Sequence, residues 1–546
     1  MSQSLTRRDF LHRLCAGAAA IAASAAMPRL SGAASFPAST PLRPNIIYIL
    51  ADDHSRYFTN EYLGRFGIPE VANLMPNLAR LRDSGMRFVN AFGTNSVCAP
   101  SRATLLTGKY AHVHGLKGNQ SFTFNNYQTT VPQLLHDAGY QTAIFGKWHL
   151  GAAIGKKEAE EPQGFDRYKL VSDSKNQLQI YHDTPLVVDS TDLSKYHNWP
   201  GYITTNIAKE GLEWVAQRDA QRPFCLFLWH RAPHEAWVPE KKYEHFLDDV
   251  TIPDPPTFDD DYATRSSALK NTKMTILNSL YRTKWGGERS LFVSKFGKDP
   301  VPEDLSEHEK KKWLYQHMVK DYMRVLRSLD DSIGMVLDYV EANNLSKNTI
   351  IWYASDNGFY QGEHALYDKR FGYEEGMHVP LYIRYPGVIP SGSTTDKLVC
   401  DVDFAETLLD FAGVPIPPSM QGRSLRPILE GKPPADWRSE VYYHYYENNK
   451  AFIIYRHEAV RGDNYKLIHY YIVPREHPSD EWEYFDLTND PLEQKNLYND
   501  PQYAVQVKQA KEKLAQLREK YAVKEPASLP GDSEGGWNVY AAEAPD

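Results

Sequence analysis

The sequence predicts an α/β protein: a large, mostly parallel sheet flanked by helices, followed by a smaller C-terminal antiparallel sheet plus one helix. Three observations lead there. Four apolar, β-branched or aromatic runs each stop at a cluster of polar residues, helical patterns fill the intervals between them, and the texture turns to short aromatic-rich strands after Gly431. Continuous apolar runs of this length suit strands buried on both faces, as in a parallel sheet covered by helices.

The run at 45–50 ends at Asp52-Asp53-His54, and that at 141–145 ends at Gly146-Lys147-Trp148-His149. The run at 224–229 ends at His230, Pro233 and His234, and that at 349–354 ends at Ser355-Asp356-Asn357-Gly358. A helix is expected at 130–139, with Thr130 placed to cap, Pro132 in the first turn and Gly139 past the end. A second, over 315–343, carries Met318, Tyr322, Val325, Leu329, Ile333, Val336, Leu337 and Val340 at helical spacing. Ligands of doubly wound sheets bind beyond the carboxyl ends of the strands, so the four polar clusters are expected to converge on one site. The stretch 241–306 is rich in charge and Pro with little periodicity, which marks a functional insertion or lid. After Pro433-Pro434, strands are expected at 440–446, 465–473 and 483–486, and a final helix at about 502–521.

The chain has 546 residues, 42% hydrophobic and 24% charged, a globular balance that excludes a largely disordered chain. A net charge of −8 excludes a broad electrostatic grip on nucleic acid but leaves room for a local basic pocket. Arg7-Arg8 precede an uncharged, Ala-rich run over 14–28 and the small residues Ser31-Gly32-Ala33-Ala34. This looks like a twin-arginine signal, too short and Ala-rich for stable membrane insertion; the alternative is a short helix of the fold. The expectation is a bacterial product, periplasmic or secreted through the twin-arginine export machinery. It divides as signal peptide 1–34, catalytic domain 35–431 and C-terminal α+β subdomain 432–546. Of four cysteines, Cys15 lies in the signal, and a Cys225–Cys400 bridge stays open, disfavoured by folding in a reducing compartment before export.

The sharpest motif is Cys98-Ala99-Pro100-Ser101-Arg102-Ala103-Thr104-Leu105-Leu106-Thr107-Gly108. Cys98 alone reads as a small buried hydrophobe. Pro100 and the residues after it would start a helix, placing position 98 beside backbone N–H groups that favour an anion, with Arg102 one turn on. Asp52, Asp53, Asp356 and Asn357 offer hard oxygen ligands suited to Ca2+ or Mg2+. Helix capping is the alternative for Asp52-Asp53. Three carboxylates gathered together resist closing up without a cation.

The Cys98 string resembles the signature of type I, formylglycine-dependent sulfatases of the alkaline phosphatase superfamily. The resemblance runs from Pro44 to about Leu497, including Asp486-Leu487-Thr488-Asn489-Asp490-Pro491-Leu492-Glu493. It implies an alkaline-phosphatase-like fold and oxidation of Cys98 to formylglycine (3-oxoalanine) by a formylglycine-generating maturation enzyme. It also implies Ca2+ held by Asp52, Asp53, Asp356 and Asn357 with the hydrated aldehyde at 98. By the same resemblance Arg102 faces the pocket, and Lys147 holds the sulfate and the diol. His149 helps deprotonate the second hydroxyl, His234 lies near the leaving-group oxygen, and Lys369 contacts sulfate and leaving group. Taken singly, each Lys or His also reads as a surface or backbone-satisfied residue. Ser172 and Ser174 are neighbours of a further polar position that neither is assigned to fill.

The chemistry is coherent. A sulfate ester is an anion with a poor leaving group, so its hydrolysis needs a nucleophile, charge neutralisation and a proton donor. A hydrated aldehyde carries two hydroxyls: one attacks sulfur, and deprotonation of the other releases sulfate and regenerates the aldehyde. Histidine titrates in the range this requires, and lysines beside an anionic pocket stay charged. The strings from Ser355 to His364 and from Asp368 to Glu375 look most like glycan sulfatases, including N-acetylglucosamine-6-sulfatases, which implies a sulfated carbohydrate substrate. His112, His114 and His364 are candidates for reading a sugar at the mouth or for packing, and His364 is the first to test. Two rivals remain: a phosphonate or phosphate diester hydrolase on the same scaffold, and a glycan-binding protein without turnover if Cys98 is not oxidised.

Overall fold

A computed structural model describes residues 43–119, 124–151, 162–171, 181–286, 290–449, 451–471 and 480–524. The expected signal over 1–34, Ser172 and Ser174 lie outside the described residues.

The four apolar runs form β1 (Asn45–Ala51), β2 (Gln141–Lys147), β3 (Phe224–Trp229) and β4 (Thr349–Ser355), and every residue in them is buried. They lie side by side in the order β4-β1-β3-β2, all parallel. Register does the rest. Ala51 pairs with Ser355, Leu50 with Trp229 and Gly146 with Trp229, so the four polar clusters leave the sheet at one level. Among the described residues further strands widen the sheet to ten, with antiparallel pairing confined to the flanks: Leu381–Arg384 beside β4, and His182–Asp189 with Asp192–Tyr202 at the far edge.

Alternation along β1 feeds two cores. Ile47 and Ile49 pack with α3 (Ile203–Gln217) and α4 (Glu307–Ala342). Ile46, Tyr48 and Leu50 pack with α1 (Cys98–Thr107), α2 (Val131–Asp137) and α5 (Val402–Ala412). The long helix starts at Glu307 rather than 315, because Ser306 and Glu309 close a capping box and the first turns are charged, which hid them from an apolar pattern. Thr130 occupies the N-cap of α2, but its hydroxyl makes no capping bond. The 241–306 stretch is a built wall: its helices Ile276–Trp285 and Leu291–Phe296 bury Ile276, Leu280, Trp285 and Phe292 in the core of α4.

The C-terminal sheet has four antiparallel strands, Glu440–Tyr445, His457–Gly462, Tyr465–Tyr471 and Asp480–Asp486, with α6 (Ala504–Lys520) against it. His457–Gly462 was not expected. Its Glu458 and Arg461 are buried charges, held by Arg518 and Glu374, and break the apolar pattern a core strand normally shows. Arg438 docks on Asp403 of α5 through two guanidinium contacts. Lys466 forms ion pairs with Glu374 and Glu493 at 2.8 Å each, tying the small sheet to the segment after Lys369. Cys98, Cys225 and Cys400 are all free and buried, so no 225–400 bridge forms. Among the described residues no helix is long and apolar enough to cross a membrane.

Candidate active site

The site begins with backbone hydrogen bonds between loops. Asp52 N donates to Ala232 O at 3.0 Å and Asp356 N to Ala51 O at 3.1 Å. Asp53, with φ of +68° in the left-handed region, donates its N–H to Asp356 Oδ1 at 3.2 Å. Tyr322 of α4 braces the same loop, donating its hydroxyl to Asp53 O at 2.7 Å and accepting from Ser55 N at 2.9 Å. The carboxylates of Asp52, Asp53 and Asp356 consequently present oxygens within 4.8 Å of one another, and Asp52, Cys98 and His234 meet the same limit. Asn357 Nδ2 donates to Asp53 Oδ1 at 2.6 Å, which leaves its Oδ1, like Asp52 Oδ1, buried without a hydrogen-bond partner. Buried oxygens that lack donors, set among carboxylates, are chemically suited to hold a hard divalent cation.

Three cations answer the three carboxylates. Lys147 Nζ lies 2.5 Å from Asp52 Oδ2. Lys369 Nζ reaches both oxygens of Asp53, at 2.5 and 2.6 Å, and Cys98 Sγ at 3.1 Å. Arg102 donates Nε to Asp356 Oδ2 at 3.0 Å, pairs its Nη2 with the same oxygen at 2.9 Å as an ion pair, donates Nη1 to Lys147 O at 2.9 Å, and lies over the Trp229 ring. Burial opposes ionisation of Asp52, but Lys147, His234, Arg102 and Lys369 outweigh it and hold this carboxyl well below its usual range. Burial wins at the other two: Asp53 is raised, and Asp356, further raised by Asp52, reaches about 7. Cys98 opens α1 as expected, and burial pushes its thiol up to about 12 despite both lysines. A thiol so protonated is a poor nucleophile at neutral pH.

His234 Nε2 lies 3.6 Å from Asp53 Oδ2, and its Nδ1 is 3.0 Å from Glu235 O. That carbonyl can only accept, so it assigns the proton of a neutral ring to Nδ1 and leaves Nε2 facing the carboxylates. His149 follows β2 with φ of +60°, and its Nδ1 is buried without a hydrogen-bond partner. Burial, then the charge of Lys147, holds His149 well below the ordinary histidine value. Asp52, Asp53, Cys98, Arg102, Lys147, His149, His234, Asp356, Asn357 and Lys369 thus come together.

His364 does not line an open mouth. It is fully buried, its Nδ1 lies 2.8 Å from Asp260 Oδ2, its Nε2 lies 3.7 Å from Glu375 Oε2, and its N–H bonds Thr257 Oγ1. It ties the 241–306 wall to the Lys369 segment. His114 is buried against Thr104, and His112 sits between Tyr446 and Tyr521 of the C-terminal region. Sequence reasoning also passed over Arg231, which lies beside His234, and the bracing role of Tyr322.

Residues 44–414 match the family model described as "Sulfatase", and residues 362–520 match "N-sulphoglucosamine sulphohydrolase, C-terminal". The chain belongs to the sulfatase family. This sulfatase, a sulfuric ester hydrolase, is 36% identical over 520 residues to the N-acetylglucosamine-6-O-sulfatase of Bacteroides thetaiotaomicron, covering 89% of this chain and 88% of the relative. It is 29% identical to the N-acetylglucosamine-6-sulfatase of Homo sapiens over 74% of this chain and 67% of the relative. It superposes with a TM-score of 0.78 on a solved structure of a protein in complex with its substrate D-glucosamine-2-N,6-O-disulfate, at 35% identity over 89% of this chain and 99% of that one. The large sheet with its small C-terminal companion is therefore the alkaline-phosphatase-like fold expected.

Proposed function

We propose that this sulfatase removes sulfate esters from glucosamine-type glycans by S–O cleavage, using formylglycine at position 98 and Ca2+ held by Asp52, Asp53, Asp356 and Asn357. The observation that carries the reading is the position of Cys98: first residue of α1, 3.1 Å from Lys369 Nζ, and among the atoms that cluster with Asp52 and His234. The relatives named for N-acetylglucosamine-6-sulfate and the neighbour bound to a glucosamine disulfate supply the sugar class.

A protonated, buried thiol has little nucleophilic power, which supports a role for residue 98 only after oxidation. Formylglycine supplies, when hydrated, a hydroxyl nucleophile and a second hydroxyl whose loss of a proton releases sulfate. Ca2+ supplies positive charge for the sulfate oxygens. With Asp52 and Asp53 committed to a divalent cation, the ammoniums of Lys147 and Lys369 are free to face the anionic ester. Arg102 holds Asp356 in place from beneath. On this reading His234, whose Nε2 faces the carboxylates, lies near the leaving-group oxygen, and His149, beside Lys147, helps deprotonate the second hydroxyl.

The same reading has the chain exported through the twin-arginine machinery to the periplasm or beyond, after a maturation enzyme has acted on Cys98. Its parts are a signal peptide over 1–34, a catalytic domain over 35–431 and a C-terminal subdomain over 432–546. The deciding experiment is sulfate release from defined sulfated saccharides, run beside an aryl sulfate and an aryl phosphate diester. Release from 6-O-sulfated glucosamines supports the proposal. Turnover of the phosphate diester alone, or an unoxidised thiol at 98 in active protein, overturns it.

A further inference from the structure

Arg231 is the second residue after β3, and the residue is only 9% exposed. Lys147, Lys369 and Arg102 each hold a carboxylate of the cluster; Arg231 holds none. Among the described residues its one polar contact is Nη2 to His234 Nδ1 at 3.5 Å, at the limit of a hydrogen bond, and that nitrogen already donates to Glu235 O at 3.0 Å. Its Nε is buried without any partner. The guanidinium thus lies beside His234, and its charge adds, after burial and Lys147, to what holds His149 and His234 below the ordinary histidine value. Tyr181, whose hydroxyl donates to His234 O at 2.5 Å, feels the same charge and lies on the same side. A buried guanidinium with no counter-charge is costly, and the cost is removed by an oxyanion that presents two acceptor atoms to it.

We propose that Arg231 binds a second anionic group of the substrate, a sulfamate or carboxylate carried on the glycan beside the ester that is cleaved. The inference rests on the glycan sulfatase reading and deepens it: the enzyme distinguishes a doubly anionic sugar from a singly anionic one through a charge that the catalytic cluster does not consume. The scissile sulfate is served by the lysines. Arg231, on the Nδ1 side of His234 and away from Asp53, is placed for a neighbouring substituent.

The test compares wild type and Arg231→Gln on three substrates: 6-O-sulfo-N-acetylglucosamine with one anionic group, glucosamine-2-N,6-O-disulfate, and a 6-O-sulfated glucosamine joined to a uronate. The preference in kcat/KM for a two-anion substrate over the one-anion substrate should fall at least about tenfold in the variant, mainly through KM. The substrate that loses its advantage identifies sulfamate or carboxylate as the partner. Because Gln removes an unpaired buried charge, the ligand-free variant should melt no lower than wild type. Equal losses on all three substrates, or a lowered melting temperature without ligand, overturn the assignment while leaving the sulfatase reading intact. Absence of sulfate release by wild type from every one of the three overturns both.

Discussion

Lys369 Nζ lies 3.1 Å from Cys98 Sγ while it grips both oxygens of Asp53. One ammonium thereby joins the proposed nucleophile position to a carboxylate of the proposed cation site. Its burial is nearly complete, so the interaction acts where water screens it little. Replacing Lys369 by Ala is expected to lower kcat/KM by about 100- to 1,000-fold, the range seen when one preorganised donor is removed from a transition-state site. Steady-state sulfate release checks this, with circular dichroism confirming the fold.

Cys98 has no partner in a disulfide and no thiolate character. Cys98→Ala should abolish sulfate release and leave the unfolding free energy within about 1 kcal/mol of wild type, since a small buried side chain is exchanged for a smaller one. Mass spectrometry of the peptide containing residue 98 in active wild-type protein should show the aldehyde mass.

The oxygens of Asp52 and Asn357 that lack hydrogen-bond partners stand at the centre of the proposed cation site. Chelation is expected to stop turnover and added Ca2+ to restore it, and Asp356→Ala should lose bound metal and activity together. Metal stoichiometry by elemental analysis reads the outcome; full stoichiometry in the variant contradicts this ligand set.

His457 is buried among Phe371, Tyr443 and Tyr470, and burial holds it down at about 4 against an ordinary 6.5, although its Nδ1 meets Tyr455 O at 2.8 Å. The unfolded chain takes up this proton first. The contribution to stability is therefore complete above about 6.5 and declines as pH falls toward 4, by about 3 kcal/mol in all. His457→Phe should flatten the acid limb of the curve of unfolding free energy against pH by that amount; an unaltered limb would show that His457 is not one of the groups responsible.

Arg438 and Asp403 form a buried pair between the start of the C-terminal region and α5. Arg438→Ala strands the carboxylate and should cost about 3–5 kcal/mol in denaturant unfolding. The double variant with Asp403→Ala should recover part of that loss, since it no longer buries a lone charge.

The four central strands and the polar clusters at their ends were legible because strands buried on both faces read as unbroken apolar runs, and Asp52, Lys147, His234 and Asp356 stand within a few residues of where those runs stop. His364 was misplaced for the opposite reason. It stands close to Lys369 in sequence, but its environment is set by Asp260 and Glu375, one of which comes from a wall segment with no readable periodicity. The strand His457–Gly462 was hidden by buried charges whose partners lie far along the chain. Arg231 was passed over because its meaning lies in a missing counter-charge, and a lack of neighbours leaves no trace in a string of letters.

The hydroxyl of Tyr322 reaches the acidic loop from midway along a 36-residue helix. Adding or deleting one residue upstream of Tyr322 within that rod would swing the phenol about 100° around the axis and leave the loop unbraced. The length of the helix between its start and Tyr322 is thereby held fixed, and length can change without moving the brace only outside that interval.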